Sequence, residues 1–338
     1  MKKPLLAAVA LCAVAVLVIG NVASASQKGS TFTAALVSDI GKFNDKGFNE
    51  NQLAGLNSAK AKLGVKTIAL QSNSSSDYLP NLTNAARQGA NIISAAGYLL
   101  APTEATVAAQ FPSVDFTITD DSVKGPDFKG KSVKNIEGLV YASNQSGCLV
   151  GYLAGLMTKA KGGKQVIGAT GGIEIPAVDD YIVGYNYCAK LADPGIKVLV
   201  GYSNDFVAQD KCQAVAQDQI QQGSQVEFQV AGGCGLGTLN AAAQAGIWGI
   251  GVDVDQYSLA KNVLTSALKR VDVGIFTADK QAKAGQFKGG SDLVFDLKNH
   301  GMGVGKISPD VPASWIKLMN QYRARIVAGT LKVPTALP

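Results

Sequence analysis

The chain of 338 residues carries 31 lysines and arginines against 25 acidic residues, with a single histidine, His300. Loss of Lys2 and Lys3 with an N-terminal leader leaves a balance of +4 from those totals, spread along the chain without dense basic blocks, which excludes the footprint of a nucleic-acid binder. One histidine and no close CxxC pair also exclude a zinc site.

The first segment, MKKPLLAAVALCAVAVLVIGNVASASQ, places two lysines before an apolar core running from about Leu5 to Gly20, then Ala23-Ser24-Ala25. This is the pattern of a signal peptide, residues 1–25, cleaved after Ala25. The apolar core is short of the ~20 residues that a spanning helix needs. Cys12 lies inside that core behind the bulky Leu11, a poor lipid-attachment site, so the chain reads as an exported, periplasmic protein and not a lipoprotein.

Beyond the leader one unit repeats: a short strand rich in Val and Ile, a Gly or Asp turn, then an amphipathic helix. The predicted strands are TFTAALV, KTIAL, NIISAA, DFTIT, QVIGAT, IKVLVGY, VEFQVAG and WGIGVDV. Their alternation with helices predicts an α/β fold with parallel sheets. More than 300 residues exceed one comfortable core, and the pattern restarts after VKNIEGLVY with the helix GCLVGYLAGLMTK. Two lobes are expected, the first from 30–142 plus about 262–290, the second from 143–261 plus about 291–338.

The strand ends carry small or polar groups: Ser38-Asp39, Gly97, Asp120-Asp121, Gly171-Gly172, Ser203-Asn204-Asp205, Gly232-Gly233 and Asp253. In open parallel sheets ligands bind outside the carboxyl ends of strands, so facing lobes would pool these groups in one cleft. In SDIGKFNDKGFNENQ, Ser38 to Gln52, Asp45 is placed to cap the helix that starts near Phe48-Asn49. Phe48 itself stands at the cleft mouth, where an aromatic face can receive a flat ligand. The stretch Gly232 to Gly237 follows a strand and opens a helix, but a GxGxxG fingerprint would require glycine where Thr238 stands, and no GxxxxGK[ST] occurs. It reads as a cleft wall or as packing glycines more than as a phosphate cradle. No GxSxG elbow accompanies His300, so a Ser-His-Asp hydrolase has little support.

Export puts Cys148, Cys188, Cys212 and Cys234 in an oxidising compartment, where four cysteines allow three pairings. The favoured pairing is Cys188 with Cys212, both in helices following successive strands, leaving Cys148 with Cys234. Free buried thiols stay as the alternative.

From the Ser38 motif onward the chain resembles the basic membrane protein family of exported, purine-nucleoside-binding receptors for ABC importers. The resemblance continues through SSSDYLPNLTNAARQGANIISAAGYLL, GGIEIPAVDDYIVGY, QVAGGCGLGTLNAAAQAG, GVDVDQ, VLTSALKRVDV and IVAGTLKVP, nearly the whole mature chain. It implies a type I periplasmic-binding fold, two α/β lobes joined by a multi-strand hinge that close on one ligand. Asp39 resembles the carboxylate that accepts from the base, Phe48 the ring that stacks on it, and Asn49 its polar neighbour. Asp120 resembles an acidic strand end, Asp253 the ribose clamp and Lys269 a second ribose contact, with Gly232 and Gly233 walling the cleft beside Gly97. Family members usually carry phenylalanine in a GSFND block, whereas this chain reads GYSNDF with Ser203 at that position, so Tyr202 or Phe206 would have to substitute. The resemblance implies a binding protein without cofactor, metal or catalytic residue, a monomer whose partners are a nucleoside, a permease and its ATPase. A riboflavin-like or sugar-like ligand is the alternative, and an exported nucleoside-processing enzyme a more distant one.

Overall fold

In the computed structural model, which describes Met1 and residues 31–336, the repeating units resolve into two six-stranded sheets. The leader, its cleavage site and Cys12 lie outside the described residues. Strands β1 (Thr33–Ser38), β2 (Lys66–Leu70), β3 (Ile92–Ala96), β4 (Asp115–Thr119) and β5 (Ile136–Tyr141) build the first sheet. Strands β6 (Val166–Gly171), β7 (Lys197–Tyr202), β8 (Val226–Val230), β9 (Trp248–Asp253) and β10 (Val263–Lys269) build the second. Two late strands complete them: β11 (Asp292–Phe295) pairs parallel with β5, and β12 (Met302–Val304) antiparallel with β10. The orders β2-β1-β3-β4-β5-β11 and β7-β6-β8-β9-β10-β12 are one arrangement used twice.

Helices α1 (Phe48–Leu63), α2 (Tyr78–Arg87), α3 (Ala101–Gln110), α4 (Ser143–Lys161), α5 (Pro176–Ala192), α6 (Gln209–Gln221), α7 (Gly235–Gln244), α8 (Val271–Lys283) and α9 (Ala313–Val327) cover the sheets. Covered parallel sheets bury both faces of their inner strands, and β3 and β8 are buried at every position, β8 with Glu227 and Gln229 among its enclosed side chains. This is the type I periplasmic-binding fold, with each sheet carrying its own helices.

The cysteine pairing differs from the one favoured by sequence. Gly147, Gly151 and Gly155 recur every fourth residue on α4, and a Cβ on them would come within 2.2, 2.2 and 2.7 Å of the carbonyl oxygens of Tyr181, Tyr185 and Ala189 on α5. That glycine stripe lets the two helices run at backbone contact, so Cys148 meets Cys188 with Cα atoms 4.8 Å apart. Cys212 in the first turn of α6 then pairs with Cys234 at the start of α7, at 5.6 Å. Both bridges join neighbouring helices of the second lobe.

The expected lobe boundaries also need correction. Strand β10, expected in the first lobe, lies between β9 and β12 in the second sheet, and β11, expected in the second lobe, adds to the first. The reason is burial: the apolar run VLTSAL of β10 is almost wholly enclosed, as suits an interior strand. The chain crosses at Lys269-Arg270, because α8 packs on α1 so closely that a Cβ on Gly55 would sit 2.6 Å from the Asp272 carbonyl. It crosses back between β11 and β12, through the exposed turn that holds His300 at φ 61°.

Candidate functional site

The carboxyl ends of the two sheets face a common cleft, open to solvent and with a cavity volume of about 60 Å³. Because the sheets share one strand order, the lining comes in matched pairs. Gly97 follows β3 and Gly232 follows its counterpart β8; Asp120 follows β4 and Asp253 ends its counterpart β9. Asp120 and Asp253 both take the left-handed conformation, φ 68° and 63°, which Asp tolerates better than most residues. Asp253 is buried at the cleft, and Asp120, half-buried as a residue, has its side chain only 7% exposed there.

On the first-lobe side, the loop after β1 is organised by carboxylates. Asp45 accepts from the backbone N–H groups of Gly47, Asn49 and Glu50 at 2.9, 2.9 and 3.1 Å, so it holds the start of α1 as the sequence reading supposed. That fixes Phe48 and Asn49 in the first turn. Asn49 Nδ2 donates to Asp39 Oδ1 at 2.9 Å, and the Gly41 N–H donates to the same oxygen at 2.8 Å. Asp39 Oδ2 lies towards Gly97, 3.2 Å from where a Cβ on that residue would stand, and the Phe48 ring is 3.3 Å from the same point. With φ 121° and a Cβ tight against both groups, position 97 strongly favours glycine. Asn49 is buried, and its Oδ1 has no hydrogen-bond partner among the described residues. Burial pushes the Asp39 carboxyl up to about 6 against the pull of its two hydrogen bonds.

The far end is built around Lys269, the last residue of β10 and 2% exposed. Its Nζ lies 2.6 Å from the Asp120 carboxylate and within 5.3 to 5.4 Å of the ring centres of Phe48, Tyr141 and Tyr181. A buried ammonium is tolerable only with such compensation, an ion pair plus aromatic faces. Asp253 accepts from the Tyr181 hydroxyl at 3.3 Å. Burial raises the Asp253 carboxyl to about 7, with the Lys269 charge opposing and Asp120 reinforcing the rise.

Of the residues singled out from sequence, Asp39, Phe48, Asn49, Gly97, Asp120, Phe206, Gly232, Asp253 and Lys269 line this space; Tyr202 and Gly233 do not. Tyr202 packs its ring on Gly171 and donates to Asp179 at 2.6 Å, which turns it away. Phe206 is the aromatic that reaches the cleft: its ring lies where a Cβ on Gly172 would be, 2.3 Å from that point, and 3.9 Å from the Cβ position of Gly232. Gly233 instead faces Asp45 and the Phe206 carbonyl in an outer groove. Gly235 and Gly237 are packing glycines, since a Cβ would stand 1.7 Å from the Gln229 side chain and 1.9 Å from the Gln209 carbonyl. The stretch thus divides, wall at Gly232 and packing beyond it.

Sequence reasoning missed Tyr98 and Leu99 after β3 and, at the start of α5, Ile175, Val178 and Tyr181. The signal for the latter group was Pro176, which opens a helix soon after the β6 end Gly171 and so aims its first turns at the cleft. Across the mouth, Gln256 Nε2 of the second lobe donates to the Lys46 carbonyl of the first at 2.9 Å.

Residues 32–336 match the family described as ABC transporter substrate-binding protein, PnrA-like. A CD4+ T-cell-stimulating antigen of Listeria monocytogenes is 32% identical over 325 residues, covering 90% of this chain and 88% of its own. The ABC transporter nucleoside-binding protein BmpA of Lactococcus lactis is 29% identical over 364 residues, covering 99% of this chain and 100% of its own. Basic membrane protein A of Borreliella burgdorferi is 30% identical over 322 residues, 92% and 91% of the two chains. In fold, the chain is similar to a solved ABC transporter solute-binding protein of Aeropyrum pernix, with TM-score 0.80 at 22% identity over 90% and 94% of the two chains. The chain belongs to the PnrA-like family of ABC transporter substrate-binding proteins.

Proposed function

We propose that this chain is an exported receptor that captures a nucleoside, a purine nucleoside first of all, between its lobes and delivers it to the permease of an ABC importer. The observation that carries the reading is the pairing of Asp39 with Asn49 beside the Phe48 ring. Asp39 Oδ1 is committed to protein donors, while the Asn49 Oδ1 is left without one. A base stacked on Phe48 has ring N–H groups to offer to such acceptors.

At the far end, Asp253 and Lys269 suit a ribose: the carboxylate accepts from vicinal hydroxyls and the ammonium donates to one of them. Each charge-assisted bond contributes about 1.5 to 3 kcal/mol, and stacking on an aromatic about 1 to 3 kcal/mol per base. These contributions favour a bound nucleoside against the cost of association. Phe206, on its glycine bed, takes the second aromatic place that Ser203 cannot fill. Two disulfides suit an oxidising compartment, in keeping with the N-terminal leader.

The experiment is a thermal-shift panel of purine and pyrimidine nucleosides, free bases, riboflavin and simple sugars against the folded chain. A ligand that binds only the native state stabilises it by about 2.7 kcal/mol at a hundredfold excess over Kd. A shift with purine nucleosides is expected. A shift with riboflavin or sugars and none with nucleosides would retain the receptor role and replace the ligand.

A further inference from the structure

We propose that the Cys212–Cys234 disulfide is a positioning element for Phe206, holding the second aromatic wall of the cleft in place; this rests on the reading of Phe206 as a ligand contact. Both cysteines are fully buried in a small cluster with Ala231, separate from the main core. The loop that carries Phe206, residues 203–208, joins β7 to α6. Its start is tied to the sheet, with the N–H groups of Ser203 and Asn204 donating to Gly171 and Gly172 at 2.9 Å each. Its end is shaped from within, with Asp205 Oδ1 accepting from the N–H groups of Val207 and Ala208 at 2.8 and 3.0 Å. These bonds give the loop a form without docking it on the β8–α7 edge of the cleft.

Cys234 makes the docking. Its N–H donates to the Phe206 carbonyl at 3.0 Å. Its Sγ lies 3.4 Å from Ser203 Oγ and 2.9 Å from the Ala208 carbonyl oxygen. A disulfide sulfur carries no proton, and the one Ser203 hydroxyl proton goes to the Asp205 carbonyl at 2.9 Å, so both sulfur contacts are packing. One residue thus touches the loop at its start, middle and end, and the covalent bond to Cys212 adds the helix that follows. Phe206 itself is half-buried at the edge of the main core, with Gly172 and Gly232 beside its ring. A ring at such an edge depends on the placement of its backbone as well as on core packing. The Asp205–Lys211 pair on the outside is exposed and contributes little to this. The other bridge, Cys148–Cys188, ties α4 to α5 in the same lobe and serves as the control.

The test compares Cys212→Ala/Cys234→Ala with Cys148→Ala/Cys188→Ala in the otherwise intact chain. Amide hydrogen exchange without ligand reads loop order, and calorimetric titration with inosine reads affinity. Loss of the Cys212–Cys234 bridge is expected to speed exchange at Val207 and Ala208 and to weaken inosine binding about tenfold, part of what one stacked ring contributes. Loss of the other bridge lowers the melting temperature but leaves the loop exchange and the affinity unchanged. In a Phe206→Ala background, removing Cys212–Cys234 should cost no further affinity, the signature of two changes acting through one group. Unchanged loop exchange, or faster exchange with undiminished affinity, overturns the proposal. A wild-type chain that ignores inosine refutes the nucleoside reading, and loop exchange alone then decides whether the bridge orders Phe206.

Discussion

Lys269 Nζ lies 2.6 Å from the Asp120 carboxylate, and the pair joins the two lobes: Asp120 follows a strand of the first sheet and Lys269 ends a strand of the second. Both are buried, 2% and 7% exposed, under the rings of Phe48, Tyr141 and Tyr181. Removing one partner leaves the other charge without compensation. Lys269→Met is expected to destabilise the fold by about 3 to 5 kcal/mol. Lys269→Met/Asp120→Asn should recover a good part of that loss. Urea denaturation of the three proteins checks this, and equal midpoints for wild type and Lys269→Met would show that the pair is not structural.

Gly97 separates the Asp39 carboxylate from the Phe48 ring at a backbone φ of 121°. Gly97→Ala forces a Cβ to 3.2 and 3.3 Å from those groups in a conformation that alanine avoids. The expected result is a stability loss of about 1 to 3 kcal/mol and a larger proportional loss of nucleoside affinity. Thermal denaturation and titration on the same variant separate the two.

Asp39 and Asp253 titrate near neutrality, at about 6 and about 7, because burial disfavours their charged forms. A ligand that donates hydrogen bonds to carboxylates prefers them ionised. Binding therefore releases protons at neutral pH, and affinity should rise from pH 5 to about 8, a unit above the higher of the two values, and level off beyond it. Titration in buffers of different ionisation enthalpy measures the proton release directly. An affinity that is flat over this interval would remove both carboxylates as acceptors.

Asp279 on α8 is fully buried, and neither carboxylate oxygen has a hydrogen-bond partner among the described residues. Burial raises it to about 8, well above its ordinary value near 3.8. The folded state then binds more protons than the unfolded chain between those values, so this group's contribution to stability is largest below pH 4 and falls as pH rises towards 8. Asp279→Asn removes the penalty. It should raise Tm at pH 8 by at least about 3 °C and leave Tm at or below about pH 4 within about 1 °C, as a pH series of melts would record.

Much of this architecture was legible because parallel strands are short β-branched runs and their carboxyl ends are polar. Asp39, Gly97, Asp120 and Asp253 follow from that rule alone, and the fold places all four at one cleft. What sequence hid was relative placement. Cys148 finds Cys188 because Gly147, Gly151 and Gly155 bring α4 and α5 together, a spacing that is visible in GCLVGYLAG but acquires meaning only with its partner helix. β10 and β11 exchange lobes through crossovers that look like ordinary loops. Tyr202 and Phe206 both flank the Ser203 position, and only the packing of Tyr202 against Gly171 and Asp179 decides between them.

The most direct measurement is calorimetric titration of the full chain with inosine, guanosine and adenosine, repeated on Asp253→Ala. One-to-one binding at micromolar Kd or tighter, weakened about a hundredfold by the substitution of one charge-assisted acceptor, is the expected result. No heat of binding with any of the three, from a chain that melts cooperatively, would contradict the nucleoside assignment.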